Sequence, residues 1–246
     1  MKSLLAPIAF AITMLGLFAD PGHALSVSPI HLEMTTVGAG SRAQIVVTNE
    51  SREPVPVELS FERMIVNEDG STRSAKARDE LLVFPPQAMI PAGSSQTFRI
   101  QWVGEPDQRR SETFLVAVNQ IPVKAATAKH AVQLVMSIGV MVNIAPPQGT
   151  PALRLVGTGI VVDKKGRRSP TVTVENPSNT HAILRDADIR LTSGGWSAAL
   201  SSQDIAQKVG VGLVQPGTRR RFVLPVVLPA NVKALKGEID YRPRRK

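Results

Sequence analysis

The chain has no cysteine. That absence excludes disulfides, thiolate nucleophiles and cysteine-ligated metals. An exported fold of this composition must be held by its core alone, and 246 residues are enough to build one. Aromatic side chains are also scarce: one tyrosine, two tryptophans and seven phenylalanines. They do not interleave with basic residues, so no stacking platform for nucleic acid is laid out. Acidic residues are in deficit, 20 Asp and Glu against 29 Lys and Arg, for a formal charge of +9. The excess cations are scattered, apart from Arg219–Arg221 and the terminal "RPRRK". This reads as a soluble basic surface with a basic tail, and no nucleic-acid partner is expected.

Long hydrophobic runs are missing after residue 24, so no stable membrane insertion is expected there. The one run present, residues 3 to 19, follows Lys2 and precedes Gly22-His23-Ala24. A positive start, an apolar stretch and small residues at −3 and −1 make a secretory leader. The expectation is cleavage before Leu25. The rival reading is an anchor, but Pro7 and Gly16 break the run, and a span needs about 20 apolar residues.

Helical periodicity is the next absence. What fills the chain instead is alternation with period two, the signature of strands. "RAQIVVTNE" (42–50) alternates up to a turn-prone cluster. "VPVELSFERMIV" (55–66) alternates up to "NEDG". "LLVFPPQAMIPAG" (81–93) is broken and edge-like, because proline cannot donate to a ladder. "SQTFRIQWV" and "ETFLVAVNQIPV" follow. The longest alternation is "AVQLVMSIGVMVNIAPPQG" (131–149). Val132, Leu134, Met136, Ile138, Val140, Val142 and Ile144 give it one wholly apolar face, over about twice the usual strand length. An exposed strand of that kind invites pairing with another chain.

"APPQGTP" (145–151) is a stiff break and the best domain boundary. A second strand series follows: "ALRLVGTGIVVD", "SPTVTVENPS", "HAILRDADIRLT", "RRRFVLPVVLP" and "KGEIDYR". The halves share a pattern in which an apolar strand ends in "TNES" (48–51) or "VENPSN" (174–179). The expected fold is all-β, two antiparallel sandwiches. The expected divisions are 1–24, 25–146 and 147–246.

Catalytic constellations are absent. His31, His130 and His181 lie far apart in sequence, with no metal-ligand spacing. No G-x-S-x-G elbow occurs. The glycine pairs 157/159 and 210/212 lack the rest of a nucleotide loop. Asp186 and Asp188, two apart on an expected strand, share a face but have no third partner. No enzyme activity, metal or cofactor is expected.

In several segments the chain resembles the PapD-like periplasmic chaperones of pilus and fimbrial assembly. These are "LSVSPIHLEM", "DELLVFPPQAMIPAGSSQTFRIQW", "FLVAVNQIP", the alternating strand ending in "NIAP", and "VENPSNTHAILRDADI". It is most similar to the archaic, or sigma-type, branch. The resemblance implies two immunoglobulin-like sandwiches in a boomerang, working in the periplasm with pilus subunits and an outer-membrane usher. It implies that the last strand of the first domain is lent to a subunit lacking one, with Val132, Leu134, Met136 and Ile138 as anchors. Val140, Val142 and Ile144 would stay in the chaperone's own core. The family's first-strand arginine is replaced here by His31. The late positions Gly139, Met141 and Ala145, and the earlier Ser137, carry no cation. His31, Lys124 and Lys129 are the candidates for gripping a subunit's terminal carboxylate. Two other functions stay open: an exported structural subunit or adhesin, and a periplasmic ligand binder or enzyme.

Overall fold

The computed structural model describes residues 25–122 and 135–243. Ten strands build the first half. They are β1 (Leu25–Ser28), β2 (His31–Thr35), β3 (Arg42–Asn49), β4 (Val55–Val66), β5 (Thr72–Ala75), β6 (Leu81–Phe84), β7 (Gln87–Ile90), β8 (Ser95–Trp102), β9 (Glu112–Gln120) and β10 (Ser137–Ala145). One sheet runs β1-β3-β8-β6, and the other β2-β10-β9-β4-β5, with β7 also on β4. Their inner faces meet in a single core. Ile45 and Val47 of β3, Phe98 and Ile100 of β8, Phe114, Val116 and Val118 of β9, and Val140, Val142 and Ile144 of β10 are all fully buried. The alternation read from the sequence is the alternation of burial, because side chains i and i+2 share a face. Val140, Val142 and Ile144 of β10 are core residues, as expected.

The second half contains β11 (Arg154–Val162), β12 (Arg168–Glu175), β13 (Ala182–Ile183), β14 (Ala187–Ser193), β15 (Trp196–Leu200), helix α1 (Ser202–Lys208), β16 (Leu213–Val214), β17 (Arg219–Val223) and β18 (Lys236–Tyr241). Its sheets run β11-β12-β17, β13-β16 and β15-β14-β18. They close over a separate core that includes Val172, Val174, Leu184, Leu191, Ile205 and Leu224. Among the described residues the fold is all-β with one short α-helix.

The shared "TNES" and "VENPSN" patterns turn out to be one device used twice. Asn49 is fully buried, and its amide donates to the carbonyls of Glu53, Ile90 and Pro91 at 2.7, 3.0 and 3.2 Å. Its Oδ1 accepts from the Ser51 amide and hydroxyl. Asn176 does the same in the second domain. It donates to Thr180 and Val214 carbonyls at 2.8 and 2.9 Å and accepts from Ser178. Each asparagine satisfies backbone groups that a strand leaves unpaired where it turns.

One expectation is corrected. Asp186 and Asp188 do not share a strand face: Asp186 ends a 3-10 turn, Leu184–Asp186, and Asp188 lies on β14, where it accepts from the Ser202 amide at 2.7 Å. Among the described residues the long strand runs Ser137–Ala145, and the expected start at 131 lies outside them. Among those residues, no helix is long and apolar enough to cross a membrane.

Candidate functional site

Pro29 has no N–H to give a ladder, and the chain leaves β1 at that point to enter the other sheet as β2. There β2 runs parallel to β10, but it reaches only Met141 to Ala145. On its other side β10 pairs with β9 from Ser137 to Ile144. Residues 137 to 140 therefore have a ladder partner on one side only, among the described residues. Met136 extends the same one-sided pairing, its carbonyl accepting from Gln120 N–H at 2.9 Å. Val135 is exposed, and Met136 and Ile138 are half-buried against the first core. The free edge thus carries an apolar face that grades from core into solvent. Val132, Leu134, Lys124 and Lys129 lie outside the described residues, as does His130.

Beside this edge, β2 turns Leu32 and Met34 into the core and His31 and Glu33 the other way. The parallel register sets Asn143 opposite Glu33. Among the described residues, three side chains converge on the Glu33 carboxylate. His31 Nε2 lies 2.8 Å from Oε1, Asn143 Nδ2 donates to Oε1 at 2.9 Å, and His181 Nε2 lies 2.6 Å from Oε2. A carboxylate only accepts, so His181 presents its Nε2 proton to it, while His31 Nε2 also lies 2.9 Å from the Asn143 amide donor. Two donors are themselves braced. Thr113 Oγ1 donates to Asn143 Oδ1 at 2.9 Å. Ser111 Oγ accepts from the His181 amide at 3.0 Å and lies 3.0 Å from its Nδ1.

Burial would raise the Glu33 carboxyl. Hydrogen bonds from His181 and His31, the charge of His181 and the Asn143 amide outweigh it, so the group titrates well below the usual carboxylate range. The Tyr241 hydroxyl is pushed up to about 12, by burial first, with the charges of Asp186 and Glu33 adding to it.

The cluster lies at the junction between domains. His181 belongs to the second domain; Glu33, Ser111 and Asn143 belong to the first. Neighbouring bonds tie the same junction: Ser111 N–H to Asn179 O at 2.9 Å, Asn179 Nδ2 to Arg109 O at 3.0 Å, and Arg110 Nη2 to Pro216 O at 2.7 Å. Further along, Gln215 exchanges bonds with the backbone of Val66 and Met64, and Arg221 pairs with Glu68 at 2.7 Å.

The histidines judged solitary from sequence are therefore corrected: His31 and His181 meet on one carboxylate. Sequence reasoning missed Glu33, Asn143, Ser111, Thr113 and His181. The available signals were faint: His31-x-Glu33 alternation on the first strand, and one asparagine near the end of an otherwise apolar one.

Residues 28–149 match the family described as pili and flagellar-assembly chaperone, PapD N-terminal domain. No curated protein sequence matches the chain. Among solved structures, the class 5 fimbriae chaperone CfaA is similar over 90% of this chain and 100% of its own, with 14% identity and a TM-score of 0.54. A structure of Salmonella enterica SafA pilin in complex with the SafB chaperone covers 82% of this chain and 85% of its own, at 19% identity and TM-score 0.53. The YadV chaperone gives 88%, 91%, 14% and 0.53. At these identities the structural likeness is one of fold, and it does not single out the archaic branch.

Proposed function

The chain belongs to the PapD-like pilus-assembly chaperones, and from that premise we propose that it captures subunits by lending them residues 132–138 as a strand. The observation that carries this is the one-sided edge at Ser137–Val140, with half-buried apolar residues along it. A subunit lacking one strand exposes a core groove and unpaired backbone groups, and a lent strand satisfies both. Val132, Leu134, Met136 and Ile138 fill the groove. Each contributes roughly 1.5–3 kcal/mol gross, before the cost of ordering and association. His31 lies beside the lent segment and faces the subunit's terminal carboxylate, with Lys124 and Lys129 of the preceding loop as the alternative grip. The chaperone works in the periplasm after losing residues 1–24, and passes its cargo to an outer-membrane usher. It has no catalytic role.

Affinity purification of the tagged chain from periplasm tests the reading. A stoichiometric, small, β-rich partner is expected, and the intact mass should place the mature start at Leu25. A chain recovered alone under native expression, or assembled outside the cell as a fibre component, would sink it.

A further inference from the structure

We propose that the outer face of the β11-β12-β17 sheet binds an extended segment of a partner polypeptide, in a groove floored by Gly157 and Gly159. The register sets one row across the sheet at Gly157–Thr173–Arg221 and the next at Gly159–Thr171–Val223. These residues alternate with the buried Val172, Val174 and Phe222, so they face away from the second core. With Val161 and with Asp69, from the β4–β5 turn of the first domain, they line an open groove of about 570 Å³. Glycine weakens a strand interior, and it commonly marks a bulge or a place where a ligand or another backbone comes close. A register shift does lie between Leu155 and Gly157, yet neither glycine has a positive φ. A β-carbon at Gly157 would meet Thr173 Cβ at 3.8 Å and nothing nearer, an ordinary contact. The fold itself has no need of a bare backbone there; an approaching ligand does.

Thr171 points to the same ligand independently. It is 8% exposed, and its hydroxyl has no hydrogen-bond partner among the described residues. That hydroxyl stands over the floor, 2.8 Å from where a β-carbon of Gly159 would be. A hydroxyl buried without a partner costs stability, and a ligand's amide or carbonyl supplies the missing bond. The spacing favours a peptide. Thr171 and Thr173 lie two residues apart on β12, about 6.8 Å of rise, and an extended peptide laid along the strand repeats its own backbone groups at the same interval. Arg221, which Glu68 holds at 2.7 Å, offers donors at one end, with Asp69 as an acceptor beside it. The exposed Val161 and Val223 receive an apolar side chain at the other. No aromatic side chain lines the groove, so a sugar ring finds no platform. The groove lies apart from the lent edge, and the inference does not rest on strand lending.

The probe is the hexapeptide acetyl-Ser-Val-Ser-Val-Ser-Val-amide, capped at both ends so that it carries no charge. On titration into the full chain, the amide resonances of residues 157–161, 171–173 and 219–223 should shift. Shifts confined to residues 137–140 would mean that the peptide pairs only with the free edge of β10, and would overturn the proposal. No shift in the groove at millimolar peptide would overturn it too, as would maltose moving the groove resonances where the peptide does not. Gly157→Val should melt at or above the wild-type temperature, because a β-branched residue suits an extended strand, and should weaken the peptide roughly tenfold. Thr171→Val should melt no lower than wild type, since its hydroxyl bonds nothing in the fold, and should weaken the peptide about fivefold. Variants that bind the peptide as wild type does would overturn the proposal. If Gly157→Val does not fold, Thr171→Val decides alone.

Discussion

Asn143 stands directly opposite Glu33 in the parallel pairing of β10 with β2, and its amide joins the Glu33 carboxylate at 2.9 Å to the Thr113 hydroxyl at 2.9 Å. Asn143 is fully buried and Thr113 nearly so. An asparagine on a strand otherwise destined for core is tolerated because both ends of its amide are satisfied. Asn143→Leu leaves the Thr113 hydroxyl and one carboxylate lone pair without that partner, at a cost of about 1–3 kcal/mol. Urea unfolding should show the loss as a lower midpoint with an unchanged slope. The double variant with Thr113→Val should recover part of it, because no buried hydroxyl is then stranded.

Acid sensitivity follows from the same carboxylate. Glu33 has its folded value depressed below the ordinary 4.5. A group of that kind contributes stability that is complete above the unfolded value and is lost as pH falls through the folded one. Stability should therefore decline from about pH 4.5 downward more steeply in wild type than in Glu33→Gln. Melting temperatures across that range would test it. Parallel curves for the two proteins would show that the carboxylate contributes nothing to acid unfolding.

Much of this fold is written in alternation. The alternation over 55–66 matches β4 bound for bound: Val55, Val57, Leu59 and Phe61 pack on the core, and the strand continues through its pairing with β5. Helix α1 was not legible: seven residues with one buried side chain, Ile205, are too few to display a period of 3.6. Its signal was the cap, where Ser201 and Asp204 bond each other's backbone amides at 3.2 and 3.1 Å. The Glu33–His181 pair was illegible for a different reason. Those residues are 148 apart in sequence and meet only after two domains have folded and docked. The paired asparagine corners lay between these extremes. The repeat of pattern was visible, but its purpose required knowing which carbonyls turn inward.

Those corners give a prediction about chemistry rather than size. Asn176 donates to two inward carbonyls and accepts from Ser178. Asn176→Asp is nearly isosteric, yet it places carboxylate oxygen against carbonyl oxygen in a fully buried site. It should destabilise at least as much as Asn176→Ala, whose expected cost is about 1–3 kcal/mol. Chemical denaturation of both variants decides. An aspartate variant close to wild type would mean the amide donors are dispensable.

The last prediction separates lending from core along one face of one strand. Val142 is fully buried and has ladder partners on both sides, Leu32 and Phe114. Ile138, four residues earlier on the same face, is half-buried and, among the described residues, has a ladder partner on one side alone, Val118. A charge at Val142 has no route to water, so Val142→Arg should cost several kcal/mol and prevent folding. At Ile138 the arginine head can reach solvent past the free edge, and the fold should survive with a small drop in melting temperature. Inside a subunit's groove that escape is closed, so Ile138→Arg should abolish capture, and Met136→Glu should do the same. Melts and pull-downs on the same preparations give the answer. If the Ile138 and Met136 variants fold and still bring down the partner at wild-type yield, the subunit is held elsewhere. If they fail to fold as Val142→Arg does, this stretch belongs to the chaperone's own core, and lending would have to come from residues earlier than 136.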